Sequence, residues 1–334
     1  MGGKMETNKN ITIDSEKEIK DAIKEIEKKY GKEAIMLLGD IPDVSIETFH
    51  SGSYALDKAL GIGGFPRGRI IEIYGPESCG KTTLALHAIA SIQKSGGIAA
   101  LIDAEHSIDP GYAANIGVDV DNLILSQPDS GEQALEIVDI LAKTGKVDLI
   151  VVDSVAALVP EAELHGEMVD QQIGLQARLM SKALRKTTGS LNKNKTAIIF
   201  INQIREKIGV IFGNPETTPG GRALKFYSSI RIEVRKGATI NETKDIIGNE
   251  IKFKVVKNKL SAPYKTATSE IYFARGIDNW GELIDIAVEE GILDKKGSWY
   301  SINDKNIAQG KKNMKEYLEK DLDLQNKLIE ITKK

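Results

Sequence analysis

One cysteine in 334 residues, Cys79, excludes an intrachain disulfide and points to a reducing compartment. Aromatic residues are scarce as well, 5% of the chain against 41% hydrophobic overall. A core must therefore be aliphatic, as buried parallel sheets are. No apolar run approaches the roughly 20 residues that span a bilayer. The opening stretch Met1-Gly2-Gly3-Lys4-Met5-Glu6 lacks the apolar centre of an export signal, and Glu6 stands where a myristoylation motif needs Ser or Thr. These absences predict a soluble, cytoplasmic chain with no membrane partner. Internal repeats and low-complexity tracts are missing too, which excludes solenoids and disordered arrays.

An excess of one charge is lacking overall, the net charge being −3, but the distribution is uneven. Residues 178–265 hold 19 Lys+Arg against 6 Asp+Glu, while the rest holds 26 against 42. Such a basic stretch suits a polyanion, although lysine-rich solvated strands produce the same excess.

What is present is most specific at residues 69–86. The run Arg69-Ile70-Ile71-Glu72-Ile73-Tyr74 feeds Gly75-Pro76-Glu77-Ser78-Cys79-Gly80-Lys81-Thr82, and Thr83-Leu84-Ala85-Leu86 continues as a helix former. The octet matches G-x-x-x-x-G-K-[ST] between a strand and a helix, the context that a phosphate cradle requires. Glycines let backbone N–H groups converge on phosphate oxygens, and the helix N-terminus adds its dipole. Lys81 then reaches the β/γ-phosphates and the Thr82 hydroxyl holds Mg²⁺. The pattern predicts a nucleoside triphosphate as ligand. Cys79, among N–H donors and beside Lys81, is expected to favour thiolate.

Apolar strand candidates at 69–74, 98–103, 123–126, 148–153 and 196–202 alternate with helical candidates at 82–94, 131–143 and 174–192. This alternation predicts an α/β fold with a mostly parallel twisted sheet and helices on both faces. Segments 230–235, 250–257 and 269–275 lack long helices between them and read as antiparallel extensions. Upstream, Ser15-x-x-Glu18 reads as a capping box, followed by Ile19, Ile23, Ile26 and Tyr30 at helical spacing up to Gly31. That stripe needs a surface to bury against, in its own core or in a neighbouring subunit. After Gly281 a helix (282–290), a short strand near Trp299-Tyr300 and a Lys/Glu-rich helix (311–333) suggest a small α/β tail domain.

The strand 148–153 ends in Asp153, at the edge where open α/β sheets bind ligands, and this carboxylate suits the Mg²⁺ shell. Strand 98–103 ends in Asp103-Ala104-Glu105-His106 at the same edge. Glu105 is the candidate base for an attacking water, with helix capping as the alternative. Strand 196–202 ends in Asn202-Gln203, and an amide there can sense a γ-phosphate. The following segment, 204–223, is rich in glycine, including Gly220 and Gly221, and carries Arg205, Lys207, Phe212 and Arg222. A long basic loop inside a compact domain is usually functional. A second such segment, 160–174, opens into a helix with Arg178 and Arg185, which solvation alone would also explain. Lys257 and Lys259 share one face of a strand end. They suit a phosphate, or simply a solvated edge.

At this point the chain resembles the bacterial RecA recombinases. The resemblance runs from about Ile26 to residue 310, strongest in the octet 75–82, in Phe200-Ile201-Asn202-Gln203-Ile204-Arg205, in residues 207–218 and in Val255-Val256-Lys257-Asn258-Lys259. It implies a DNA-dependent ATPase that coats single-stranded DNA as a helical filament with ATP at the subunit interfaces. Pairing with homologous double-stranded DNA and strand exchange follow, with a self-cleaving repressor as a further partner. It implies an N-terminal polymerisation helix and linker (1–45), a RecA-like ATPase core with two DNA-binding loops (46–280) and a small C-terminal domain (281–334). By the same resemblance Glu105 is the catalytic glutamate and Gln203 the relay between nucleotide and DNA. Tyr112 stacks on adenine, Asp109 reads its amino edge, and Lys257 and Lys259 reach a neighbour's ATP.

A ring-forming helicase of the same core is the alternative, and a small-molecule kinase or transporter ATPase is the more distant one. Three departures from the family pattern stand out. Cys79 replaces a small hydroxyl or alanine, Pro219 and Arg222 alter the second loop, and the chain stops at Lys333-Lys334 without an acidic tail.

Overall fold

A computed structural model describes residues 6–31, 34–35, 46–166, 174–206, 213 and 215–332. The chain divides into two compact units, Met1–Ile46 and Glu47–Lys334. The first is dominated by helix Glu6–Tyr30, which Gly31 stops at φ +93° while its N–H bonds to the Glu27 carbonyl at 2.9 Å. The helix runs straight through the Ser15 capping box, so that motif does not mark its start. A mid-helix serine costs only about 0.5 kcal/mol against alanine, too little to break a Glu/Lys/Ile-rich run. Ile19 and Tyr30 of the apolar stripe are exposed, and Ile23 and Ile26 are partly covered.

The second unit is built on a nine-stranded sheet. Its spatial order is Gly276–Ile277, Thr266–Tyr272, Asp245–Asn258, Ile230–Glu242, Ile70–Gly75, Ala197–Gln203, Leu149–Asp153, Ala99–Asp103, Ile124–Ser126. From Ile230–Glu242 to Ile124–Ser126 every pairing is parallel, and the remaining pairings on the other side are antiparallel. The α/β reading with antiparallel extensions is therefore the observed fold.

Period-two alternation explains why these strands are apolar throughout. Ile71, Ile73, Leu149, Val151, Ile199 and Ile201 pack into one core with helices Tyr54–Leu60 and Lys81–Lys94. Ile70, Ile150, Val152, Ile198 and Phe200 face the opposite core, under helices Gly131–Thr144 and Leu175–Asn194. Truncating one such side chain, Ile199→Ala, costs about 2–5 kcal/mol from lost burial plus a cavity.

A third core joins Leu283, Tyr300, Met314, Leu318, Leu324 and Leu328 beyond the sheet. Here a three-stranded antiparallel sheet, Asp294–Lys296, Trp299–Ile302 and Lys305–Gln309, replaces the single strand expected. The expected terminal helix is two, Lys311–Leu318 and Leu322–Thr332. Asp321 makes the break, its carboxylate accepting the Leu324 N–H at 3.0 Å. The turn lets leucines of both helices enter one core, which a straight helix could not do.

Candidate active site

Strand Ile70–Gly75 ends where a side chain cannot fit: a Cβ on Gly75 would lie 2.1 Å from the Val234 carbonyl oxygen. Gly80, at φ +93°, starts helix Lys81–Lys94, and a Cβ there would meet Ile271 Cδ1 at 2.4 Å. Both ends of the 75–80 turn thus exclude a side chain. Lys81 is buried, its Nζ donating to the Pro76 carbonyl at 2.5 Å. A cleft of about 440 Å³ opens beside it, walled by Ser78, Thr82, Thr83, Tyr112 and Phe273. Tyr112 Oη and Thr83 Oγ1 are 3.0 Å apart, which ties helix Pro110–Ile116 to the cradle. Asp109 caps that helix through Oδ1, accepting from Gly111 N at 2.8 Å and Tyr112 N at 3.3 Å.

Next to the cradle the parallel register brings Asp103 level with Asp153. Thr82 Oγ1 donates to Asp153 Oδ2 at 2.6 Å. Burial pushes the Asp153 carboxyl up to about 6; the Thr82 bond opposes this, and the charges of Glu105 and Asp103 add to it. Asp103 accepts from Ser107 N, Ile108 N and Gln127 Nε2 at 3.2, 3.3 and 3.0 Å, and so shapes the turn that presents Glu105. Glu105 Oε1 accepts from Ser154 Oγ at 2.5 Å and from Gln203 Nε2 at 3.0 Å. The Gln203 N–H bonds to Asn202 Oδ1 at 3.0 Å, and buried Asn202 donates its Nδ2 to Pro219 O and Glu72 Oε1, both at 3.1 Å.

The donor set fits Mg²⁺. A hydroxyl already faces a carboxylate whose ionisation is held back first by burial and then by the Glu105 and Asp103 charges, and a cation offsets both. Among the described residues no group of three or more His, Cys, Asp or Glu is arranged as a metal cage. An ion there needs further oxygen ligands, which a triphosphate provides.

The comparisons with known proteins decide the family. The model of the RecA N-terminal domain matches residues 17–278, and that of the RecA C-terminal domain matches residues 281–333. The chain belongs to the RecA family. It is 68% identical to Protein RecA of Mycoplasma mobile over 314 residues, covering 94% of this chain and 95% of that protein. Protein RecA of Mycoplasmopsis pulmonis is 67% identical over 306 residues, 92% of this chain and 90% of the relative. That of Listeria welshimeri is 58% identical over 315 residues, 94% and 90% of the two chains. Membership of the RecA family carries a role in DNA recombination and repair.

Residues 75–83, Glu105, Asp109, Tyr112, Asp153 and Gln203 therefore converge at one end of the sheet. Lys257 and Lys259 do not join them. Lys257 pairs with Arg231, which pairs with Glu72, so these lysines lie level with the start of strand Ile70–Gly75 rather than its end. Lys257 Nζ donates to Lys225 O at 2.5 Å and Phe226 O at 3.2 Å, and Lys259 Nζ donates to Phe226 O at 3.1 Å. Burial, then the Lys259 and Arg231 charges, holds the Lys257 ammonium below the usual lysine range.

Arg178 and Arg185 project from an exposed face of helix Leu175–Asn194. Arg205 is exposed on a short hairpin in which it pairs with Thr217, and Arg222 is exposed just before helix Ala223–Tyr227. Gly220 and Gly221 have φ +82° and +76°. Lys207 and Phe212 lie outside the described residues.

The expected thiolate at Cys79 is not supported. Burial pushes the thiol up, and the opposing pull of Lys81, whose Nζ is 3.9 Å away, does not overcome it. Ser154 and Asp103 are hydrogen-bonding neighbours of this cluster that the motif reading passed over. Each adjoins or ends a strand at the ligand edge, and that position was the available signal.

Proposed function

We propose that this chain is a DNA-dependent ATPase that assembles with ATP and Mg²⁺ as a helical filament on single-stranded DNA. The filament pairs that strand with homologous double-stranded DNA and exchanges strands. The observation that carries the reading is the unbroken hydrogen-bonded run from Glu105 through Gln203 and Asn202 to Pro219. It joins a carboxylate beside the phosphate cradle to the glycine pair of a basic loop.

In this reading Lys81 and the N–H groups of residues 77–83 bind the triphosphate, and Thr82 with Asp153 would hold Mg²⁺. The ion, when bound, would neutralise phosphate charge. Glu105, oriented by Ser154 and Gln203, accepts a proton from the attacking water. Tyr112 stacks on the base, and Asp109 keeps Oδ2 for an amino edge because Oδ1 serves the cap. Lys257 and Lys259, level with the opposite end of the strand, serve a neighbour's nucleotide in trans.

Arg205, Lys207 and Arg222 bind the backbone of single-stranded DNA, Arg178, Arg185, Gly220 and Gly221 line the same DNA site, and the Phe212 ring packs against bases. The half-covered stripe of helix Glu6–Tyr30 provides polymerisation, which supports a division into 1–45, 46–280 and 281–334. No described helix is long and apolar enough to cross a membrane. The cytoplasm is the proposed site of action, and a self-cleaving repressor the proposed further partner.

The deciding experiment measures ATP hydrolysis with and without single-stranded DNA, alongside electron microscopy of the assembly. Stimulation together with open filaments supports the reading. DNA-indifferent hydrolysis, or closed rings, overturns it.

A further inference from the structure

We infer that Gln176 is a positioning residue that closes a second hydrogen-bonded path between the Pro219–Gly220 peptide and Glu105. The inference rests on the reading of Glu105 and of the 204–223 segment given above. Gln176 lies in the first turn of helix Leu175–Asn194, 27 residues before Gln203 and in no motif of the sequence.

Both ends of its amide are engaged. Gln176 Oε1 accepts the Gly220 N–H at 3.1 Å, and Nε2 donates to Val155 O at 2.8 Å and Leu158 O at 3.1 Å. Val155 follows Ser154, whose hydroxyl donates to Glu105 Oε1. The other path leaves the same peptide through Pro219 O, passes Asn202 and Gln203, and ends on the same oxygen, Glu105 Oε1. The two paths make a closed ring of side chains and backbone.

The packing is tight on the side facing Val155 and Ala177. A Cβ on Gly220 would lie 2.9 Å from Val155 Cγ1, and one on Gly221 would lie 2.6 Å from Ala177 Cβ. A cavity of about 320 Å³ adjoins the ring, with Leu158, Pro160, Arg205 and Pro219 in its wall. The Pro219–Gly220 peptide thus has space on one side and two rigid connections on the other. A carboxylate gripped through one donor can swing about that bond, whereas one gripped by two donors on separate elements has its orientation set by both. Displacement of Gly220 by a ligand on the loop therefore reaches Glu105 along both arms. Loss of either arm leaves the resting carboxylate in place but removes one of the two constraints, so a ligand on the loop no longer aligns it for a water.

The test uses the full chain with Mg-ATP and an oligothymidylate as DNA probe. Gln176→Met keeps length and removes both hydrogen-bonding ends. Gln176→Glu keeps the acceptor for Gly220 N–H and lacks donors for Val155 and Leu158. Both variants should retain the DNA-free rate, the melting temperature and the DNA concentration for half-maximal stimulation. Each should lose about tenfold in maximal stimulated rate, equivalent to about 1.4 kcal/mol of coupling.

A wild-type maximum in either variant overturns the ring; in Gln176→Glu it would mean that the residue only props the loop. A parallel fall in the DNA-free rate overturns it too, because that marks general damage. If Gln176→Met does not fold, Gln176→Glu decides alone. Wild-type hydrolysis that ignores DNA overturns the proposed function itself, and is told apart from the other outcomes by needing no variant.

Discussion

At the carboxyl end of strand Ile70–Gly75, Lys81, Thr82, Asp153 and Glu105 are each held by groups of their own chain. At the amino end of the same strand, Lys257 and Lys259 reach carbonyl oxygens of one short helix and, among the described residues, form no ion pair. The first cluster is oriented by hydrogen bonds within the chain. The second has two like charges side by side, seated on the partial negative charge of a helix end. In the proposed function one end of the sheet is a nearly complete site, and the other is half of one. In the proposed filament the half-site of one subunit completes the site of the next, which places the control of turnover at assembly.

The largest expected effect tests whether the two ends really are complementary halves. Lys81→Ala should lose hydrolysis by about a thousandfold, since a preorganised cation against developing phosphate charge is removed. Lys257→Ala should bind ATP normally and lose only its DNA-stimulated turnover. A mixture of the two variants on DNA should regain stimulated hydrolysis, because some interfaces then join an intact cradle to intact lysines. Steady-state phosphate release against mixing ratio is the measurement. No recovery at any ratio, with co-assembly verified, would break the comparison.

Glu105→Gln sharpens the carboxyl-end half of it. The amide keeps shape but cannot accept the proton, so hydrolysis should fall about a hundredfold or more while nucleotide affinity stays within about twofold. Single-turnover hydrolysis beside equilibrium nucleotide binding separates the two. A matching loss of affinity would mean that Glu105 holds the nucleotide rather than acting on water.

A smaller effect comes from Asp153. Its carboxyl is raised to about 6 in the folded chain. Its stability contribution is therefore present below the ordinary carboxylate value and is lost as pH rises through about 6. Mg²⁺ needs the ionised form, so Mg-ATP affinity should weaken as pH falls below about 6 and level off above it. Titration of binding from pH 5 to 8 reads this directly. Asp153→Asn should bind weakly with a flat profile through that range.

The smallest effect is expected at Cys79. Its buried thiol resists ionisation, so Cys79→Ser should change hydrolysis by no more than about twofold, and alkylation at neutral pH should be slow even without nucleotide. Fast modification of the free chain would show that the cradle opens.

The same contrast explains what could be read in advance. The phosphate loop was legible because its chemistry is local: glycines, lysine and threonine at fixed spacing between a strand and a helix. The strands that end at Asp103, Asp153 and Gln203 were legible because double burial makes them uninterrupted apolar runs. The Ser15 capping box misled, since a local helix start costs too little to stop a strong helix former. The single terminal helix misled too, because the pull of Leu318, Leu324 and Leu328 into one core outweighs helical continuity at Asp321.

By itself, the sequence determined the fold class, the nucleotide cradle and the family, all of which rest on residues close along the chain or on simple periodicity. Only the tertiary structure decided which polar groups meet. Ser154 and Glu105 are 49 residues apart, and Gln176 and Gly220 are 44 apart. Such pairs depend on strand order and register, which set distances between chain segments that no spacing along the chain encodes. The state of Cys79 was likewise decided in three dimensions, because desolvation depends on how many atoms surround the sulfur and not on which residues adjoin it in sequence.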